Sequence, residues 1–357
     1  MVPLFVGALS RWSGKNVVCL GIGKRFIKDG IRMGYFKPVG VFPIQHEGVL
    51  TDEDVVFFRD TFDIRDALID ICPIVLTEGL LARALRGKAV GLYEKMMNSF
   101  EKVSADKDVV LINGLGDLHH GKFVGCEQLK FINDTNSRVI LTDRFEHLNQ
   151  SIDGFLEAKE LLGDKLIGVI VNRLDPAEAD KVRELAVPFL SQHGIALLGI
   201  IPEDPILGAV TVGELHEALG GDLVCGEDHL DDLVERYCIG AMNVESALRH
   251  FRRVPNKAVV TGGDRSDIQL AALETSTKCL VLTGDLYPSP QIIIRAEESG
   301  VPIIVVPGDT HSTVDTFESI LGSLTIRNEK KLARAAELVE KTVDFDKLYA
   351  SLGLKKT

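Results

Sequence analysis

The sequence has no cysteine pair at metal or redox spacing, no long apolar run and no excess of basic charge. Its six cysteines, Cys19, Cys72, Cys126, Cys225, Cys238 and Cys279, are scattered and none forms a CxxC, which argues against zinc and against a disulfide scaffold. Several fall inside apolar runs, where a buried reduced thiol is the ordinary state. No apolar run reaches the roughly 18–20 residues that span a bilayer. The opening MVPLFVGALS has no basic stretch ahead of its apolar residues, so it reads as a first strand and not as a signal peptide. Lys and Arg number 40 against 52 Asp and Glu, a net charge of −12, which sets the chain against nucleic acid as a partner. On these grounds the chain reads as cytoplasmic.

What is present is alternation. The 357 residues, 45% of them hydrophobic, suffice for two packed domains. PLFVGA, MGYFKPVG, DVVLING, SRVILTD, IGVIVNR and IALLGIIPED read as strands. They are rich in Val, Ile and Leu without polar alternation, so both faces are expected to be covered, as in a parallel sheet. Helical patterns run over Lys15–Asp29, Ala89–Ser104, Asn149–Leu162 and Pro176–Gln192, the last opened by Asp175 as a cap and proline in the first turn. Strand alternating with helix means an α/β fold with right-handed crossovers. Near residue 208 the texture shifts to short elements. Alternation then resumes as a second, smaller α/β unit whose strands end in Thr261-Gly262, Thr283-Gly284 and Pro307-Gly308. The expected domains are 1–210, 212–325 and an amphipathic helical tail over 326–357, which would dock on its own chain or on a second subunit.

The stretch ALSRWSGKNVVCLG places a Gly14-Lys15 turn between a strand and a helix. Phosphate binding needs this order: N–H groups at the helix start point outward, the helix dipole favours an anion, and lysine adds a point charge. Leu9 stands where a G-x-x-x-x-G-K loop carries its first glycine, although Gly7, Ala8, Ser10 and Ser13 keep the loop small. The plainer alternative is a strand-to-helix turn with a solvated Lys15.

GKNVVCLGIGKRFIKDGIRMGYFKPVG, DVVLINGLGDL, GVIVNR and LLGIIPED together resemble the dethiobiotin synthetase group of P-loop proteins, and more closely the BioD-like N-terminal domain of some phosphotransacetylases. VTGGDRSDIQLAALE, LTGDLYPSP and VPGDTHSTVDTFESI resemble the DRTGG domain. In phosphotransacetylases these two domains precede an acyltransferase domain, and none is expected within these 357 residues. The resemblance implies ATP or ADP as ligand, with Ser10, Ser13, Gly14, Lys15, Asn16 and Val17 around the phosphates, Asn172 at the adenine, and Pro202 and Glu203 beside the base. It implies Lys37 as the catalytic lysine near the transferred phosphate and Asp52 as the magnesium-binding aspartate. Asn16 stands at the magnesium-ligating hydroxyl position, and Asn113 replaces a glutamate that helps hold the metal. Both changes remove hard oxygen donors that magnesium prefers. Phosphoryl transfer depends on positioning and charge neutralisation, so the loop looks better suited to binding a nucleotide than to turning it over. The counter-reading is that Asp52, Asp54 or Asp117 restores a carboxylate.

Three other features carry two readings each. His119-His120 are surface histidines or contacts to whatever lies opposite the phosphates, since they follow a strand at its carboxyl end. GEDHLDDLVE is a solvated face without calcium-loop spacing. In TGGDR, the residues Thr261, Gly262, Gly263, Asp264 and Arg265 form either a structural turn, with Asp264 capping the next helix, or part of a ligand cleft or interface with Thr283, Asp309 and Thr310. The function expected is therefore a nucleotide-binding regulatory protein with weak or no phosphoryl-transfer activity; the alternative is an ATP-dependent ligase resembling dethiobiotin synthetase or the cobyrinic acid diamide synthases. A homodimer is the expected assembly.

Overall fold

The computed structural model describes residues 1–10, 13–145, 147–322 and 329–354. Residues 11–12 of the Gly-Lys loop, 323–325 of the second domain, and 326–328 and 355–357 of the tail lie outside them. The chain divides into two compact units, Met1–Glu203 with Lys331–Thr357, and Asp204–Lys330. No described helix is long and apolar enough to cross a membrane.

The first unit is built on β1 (Val2–Ala8), α1 (Lys15–Lys28), β2 (Met33–Phe36), α2 (Glu53–Thr61), α3 (Leu92–Ser104), β3 (Val109–Asp117), β4 (Arg138–Asp143), α4 (Leu148–Leu162), β5 (Leu166–Leu174) and β6 (Leu197–Pro202). The strands form one six-stranded parallel sheet in the order β6-β5-β4-β1-β3-β2. Leu4, Phe5 and Val6 of the central β1 are wholly buried, as a strand covered on both faces requires. The alternating pattern therefore gives the α/β class it calls for.

Local chemistry shifts several boundaries. The helix expected from Ala89 starts at Leu92, because Gly91 takes a left-handed φ of 73° and sets the turn before it. MGYFKPVG is not one strand: Met33–Phe36 pairs with β3, whereas Val39–Gly40 pairs with Ile74–Val75. The pattern over Pro176–Gln192 breaks into a 3-10 turn at Pro176–Glu178, short α segments and a π-turn at Val182–Ala186. Pro188 has no N–H to continue the ladder, and the backbone widens just ahead of it. Asp175 does cap the start, accepting from the Ala177 N–H at 2.9 Å.

In the second unit, β7 (Asp222–Cys225), β8 (Arg236–Ile239), α5 (Val244–Phe251), β9 (Lys257–Gly262), α6 (Ser266–Leu273), β10 (Thr277–Thr283), α7 (Pro290–Ser299), β11 (Ile303–Val306) and α8 (Thr310–Gly322) form a second α/β layer. Its sheet runs β7-β11-β10-β9-β8, parallel except for the edge strand β7.

The chain then returns to the first unit through α9 (Glu329–Thr342) and α10 (Phe345–Leu352). Two glycines explain how α1 can be buried almost all round. A Cβ on Gly21 would lie 2.2 Å from Val339 Cβ of α9, and one on Gly23 would lie 2.4 Å from the Phe62 ring. Tyr349 of α10 stacks on Phe26 and donates to Asp29 at 2.6 Å. Because the interior is close-packed, Gly21→Ala should cost about 1–3 kcal/mol. A lowered thermal midpoint would record it, and an unchanged midpoint would mean that α9 is not seated on α1.

Candidate functional site

The parallel register assembles the site at one edge of the first sheet. β1 lies between β3 and β4, with Val6 opposite Asn113 and Ala8 opposite Thr142. The carboxyl ends of β1, β3, β4 and β5 therefore bring the Gly-Lys loop together with Asn113, Asp117, Thr142, Asp143 and Asn172. Gly14 enters α1 with φ 82°, a conformation that a side chain would strain. The loop is pinned from below. Ser10 Oγ donates to Asp143 Oδ1 at 3.1 Å, Ser13 Oγ and Thr142 Oγ1 share a bond of 3.0 Å, and Asn172 Nδ2 donates to the Ser13 carbonyl at 2.9 Å. Val17 N–H bonds back to the Gly14 carbonyl as the first helical turn.

Asn172 is buried, and its Oδ1 has no hydrogen-bond partner. A buried acceptor without a donor is costly, so this atom is suited to receive a ligand N–H. Asp143 is not such a group. Its oxygens accept from Ser10, Ser151 and the Phe145 N–H, which makes it an organiser of the loop.

Lys15 Nζ donates to the Gly116 carbonyl at 3.4 Å. Burial and then the charge of Lys37 push its pKa down to about 8. Lys37 is held differently. Its ammonium lies 2.7 Å from Asp52 Oδ1 and 2.6 Å from Asp54 Oδ2. Burial alone would lower its pKa, but Asp54 and Asp52 outweigh burial and raise it.

Asp52 is wholly buried, and its second oxygen accepts from the Val41 and Phe42 N–H groups at 2.7 and 2.9 Å. Its first oxygen, besides Lys37, accepts the Asp54 N–H at 2.9 Å as the cap of α2. Its acceptor capacity is spent on the fold. Asp54 is the carboxylate that reaches the loop, where its Oδ1 accepts from Asn16 Nδ2 at 3.1 Å.

The two asparagines meet. Asn113 Nδ2 donates to Asn16 Oδ1 at 2.9 Å and to the Tyr35 hydroxyl at 3.0 Å. The amide oxygen that would face a magnesium ion is thus occupied by a neutral amide, and the nearest carboxylate is paired with an ammonium. This donor set does not fit a tight octahedron of hard oxygens.

Across the loop, His120 Nδ1 lies 2.8 Å from Asp117 Oδ1 and the His119 N–H donates to the same oxygen at 2.9 Å. Burial would raise the Asp117 pKa, but these bonds prevail and lower it. Gln128, buried, clamps the strand end by accepting from the Leu115 N–H and donating to the Leu115 and Asp117 carbonyls. Two cavities open at this edge. One of about 540 Å³ is bordered by Ser10, Asp117, His119, Asp143 and Gln150. The other, of about 600 Å³, is bordered by Arg173, Leu174, Asp175 and Glu203 at the ends of β5 and β6. Glu203 N–H bonds the Leu174 carbonyl at 2.9 Å, so it is fixed at that rim. Pro202 ends β6 just before it.

In the second unit the glycine-bearing strand ends also share one edge. Thr261 Oγ1 donates to the Gly240 carbonyl at 3.1 Å, and Thr283 and Thr310 hydroxyls bond at 3.1 Å. Gly263 has no room for a side chain, since a Cβ would lie 1.8 Å from the Leu286 carbonyl oxygen. The cap position of α6 falls to Arg265 and not to Asp264, which is folded back toward Gly262. Arg265 pairs with Asp267 at 3.0 Å and donates to the Met242 carbonyl at 3.1 Å. Gln269 carried no signal in the sequence. It is wholly buried, donates to the Gly262 and Gly263 carbonyls at 3.1 and 3.0 Å, and leaves its Oε1 without a partner.

Residues 3–211 match the model of the AAA domain, and residues 214–320 match that of the DRTGG domain. The phosphate acetyltransferase of Synechocystis sp. is 24% identical over 97% of this chain and 51% of its own length. The chain thus spans about half the length of the curated relatives it matches. The ATP-dependent dethiobiotin synthetase BioD of Thermodesulfovibrio yellowstonii is 27% identical over 59% of this chain and 92% of that protein. Among solved structures, the CBS and DRTGG domains of the regulatory region of Clostridium perfringens pyrophosphatase, complexed with diadenosine tetraphosphate, align at a TM-score of 0.30. That alignment has 17% identity and covers 45% of this chain and 74% of that one.

Proposed function

The chain belongs to the AAA domain family and carries a DRTGG domain, and on that premise we propose that it is a nucleotide-binding regulatory protein with little phosphoryl-transfer activity. ATP or ADP occupies the Gly-Lys loop, with Lys15 on the phosphates and Asn172 Oδ1 accepting from the base. The second unit is the sensing or interface module, through Thr261 to Arg265 at its sheet edge. The single observation that carries the reading is the Asn16–Asn113 hydrogen bond. It supports the reading because a neutral amide pair supplies neither the hard metal ligand nor the charge neutralisation on which phosphoryl transfer depends. Asp54, and not the fully engaged Asp52, is the carboxylate nearest that role. Acetyl transfer, named for the longer relatives, is not assigned to these residues. The test is phosphate release from ATP with magnesium by the purified chain. A rate near background beside saturable nucleotide binding supports the reading, and a vigorous magnesium-dependent rate overturns it.

The state of Lys15 gives a pH dependence. Only the ammonium attracts phosphate, and in the free protein it loses its proton near pH 8. Below that pH the charge is present and affinity is constant. Above it the protonated fraction falls about tenfold per unit, so nucleotide affinity should weaken in step until the ligand's own hold on the proton gives out. Calorimetry between pH 7 and 10 measures this, and a flat profile would take Lys15 out of the site.

A further inference from the structure

We propose that the first unit carries a second binding site, a cleft that shares no residue with the Gly-Lys loop and takes an amphiphilic anion: an alkyl chain ending in a carboxylate or a phosphate. The proposal does not depend on the nucleotide reading above.

The cleft has a volume of about 680 Å³, within the range of small-molecule sites. It lies where four local features meet: the turn of the hairpin Pro43–His46 with Val49–Asp52, the strand Ile74–Val75, the helix Glu78–Leu85 and the first turn of α3. Leu50, Ile69, Ile74, Leu80 and Leu92 make its lining largely aliphatic. Leu50 and Ile69 are 41% and 51% exposed. The helix Glu78–Leu85 fully buries none of its residues, although Leu80 and Ala84 pack against the core. Aliphatic surface left wet inside a concave wall gains by accepting an apolar ligand.

The polar side of the same cleft is cationic. Arg83 and Lys95 line it, and no Asp or Glu is among its described lining residues. Neither side chain forms an ion pair among the described residues: Arg83 Nη2 reaches the Lys88 carbonyl at 3.5 Å, and Lys95 Nζ donates to the Pro73 carbonyl at 2.6 Å. The surrounding charges do not cancel theirs. Glu78 and Glu94 are exposed and outside the lining, and Asp70 is paired with Lys102 at 2.8 Å. Asp52, which meets Cys72 around Gly40, is paired with Lys37 at 2.7 Å. Arg86 and Lys88 add positive charge, so residues 78–95 carry four cations against two carboxylates in a chain of net charge −12. A guanidinium fork and an ammonium beside an aliphatic floor match a carboxylate or phosphate head on an alkyl chain, and they repel a cationic head.

The test is calorimetric titration of the full chain at pH 7 with octanoate, octyl phosphate, octyltrimethylammonium and acetate. Octanoate or octyl phosphate should bind saturably, about tenfold or more tighter than octyltrimethylammonium, which has the wrong charge, and than acetate, which has no chain. The tighter of the two long anions identifies the head group. Gly79→Leu fills the cleft from a position with room for a side chain, since a Cβ there would meet nothing closer than Thr77 Oγ1 at 3.9 Å. It should weaken the anion by about tenfold or more without lowering the thermal midpoint. Arg83→Gln, at an exposed position, should weaken it by about threefold or more. No saturable binding of either long anion, or equal affinity for octyltrimethylammonium, overturns the proposal. Binding that Gly79→Leu leaves unchanged overturns it too, because the anion would then lie elsewhere on the protein.

Discussion

Replacing Asp52 by alanine should destabilise the first unit by about 3–5 kcal/mol, the cost of breaking a buried ion pair from one side. The carboxylate is wholly buried and serves four partners: Lys37, the Val41 and Phe42 N–H groups, and the Asp54 N–H at the start of α2. Alanine leaves two loop N–H groups without their acceptor and removes the cap. Lys37 then keeps only Asp54, although it is 4% exposed and cannot turn to water. Gly40 shows how tightly the carboxylate is enclosed, since a Cβ there would lie 2.5 Å from Asp52 Cβ. Denaturant unfolding followed by the fluorescence of Trp12, the single tryptophan in the sequence, reads the effect. A loss below about 1 kcal/mol would place Asp52 in a merely solvated role. Asp52→Asn, which keeps the shape and loses the charge, should fall between.

The second large effect is a gain. The double change Asn16→Thr with Asn113→Glu replaces the amide pair by a hydroxyl and a carboxylate. It removes the Asn113–Asn16 hydrogen bond and adds a carboxylate and a hydroxyl oxygen in its place. A bound metal contributes several kcal/mol to a phosphoryl-transfer transition state. If part of that returns, magnesium-dependent phosphate release should rise on the order of 10- to 100-fold above the unmodified chain. In that variant Asp54 and the new carboxylate would be the groups able to hold the metal, and Lys37 would be the lysine at the transferred phosphate. An equal, slow rate in both forms would mean that more than these two residues separates the loop from a working enzyme.

The parallel sheet was legible in the sequence because its strands are covered on both faces, and such strands read as unbroken Val, Ile and Leu runs. The Gly-Lys turn was legible because strand, glycine, lysine and helix are neighbours in the chain. The chemistry around the turn was not. Asn16 and Asn113 meet only because β3 lies beside β1 in a register that puts Asn113 opposite Val6. No local pattern encodes that register. The difference between Asp52 and Asp54 depends on the antiparallel hairpin Pro43–His46 with Val49–Asp52, whose strands of four residues are too short to stand out from a loop. Alternation also cannot show that α9 returns to α1, because the signal is a missing side chain at Gly21 facing Val339. Gln269 was unreadable for a similar reason: within IQLAAL it looks like a surface position, and only the packing of α6 on its sheet buries it.

The account stands most directly on one titration. ADP is added to the unmodified chain and to Lys15→Ala in a calorimeter at pH 7, where the Lys15 ammonium is charged. A hydrogen bond to a charged group is worth about 1.5–3 kcal/mol, so the variant should bind on the order of 10- to 100-fold more weakly while unfolding at the same denaturant concentration. Equal affinity in the two proteins would contradict the account, because the nucleotide would then lie somewhere other than the loop between Ser10 and Val17.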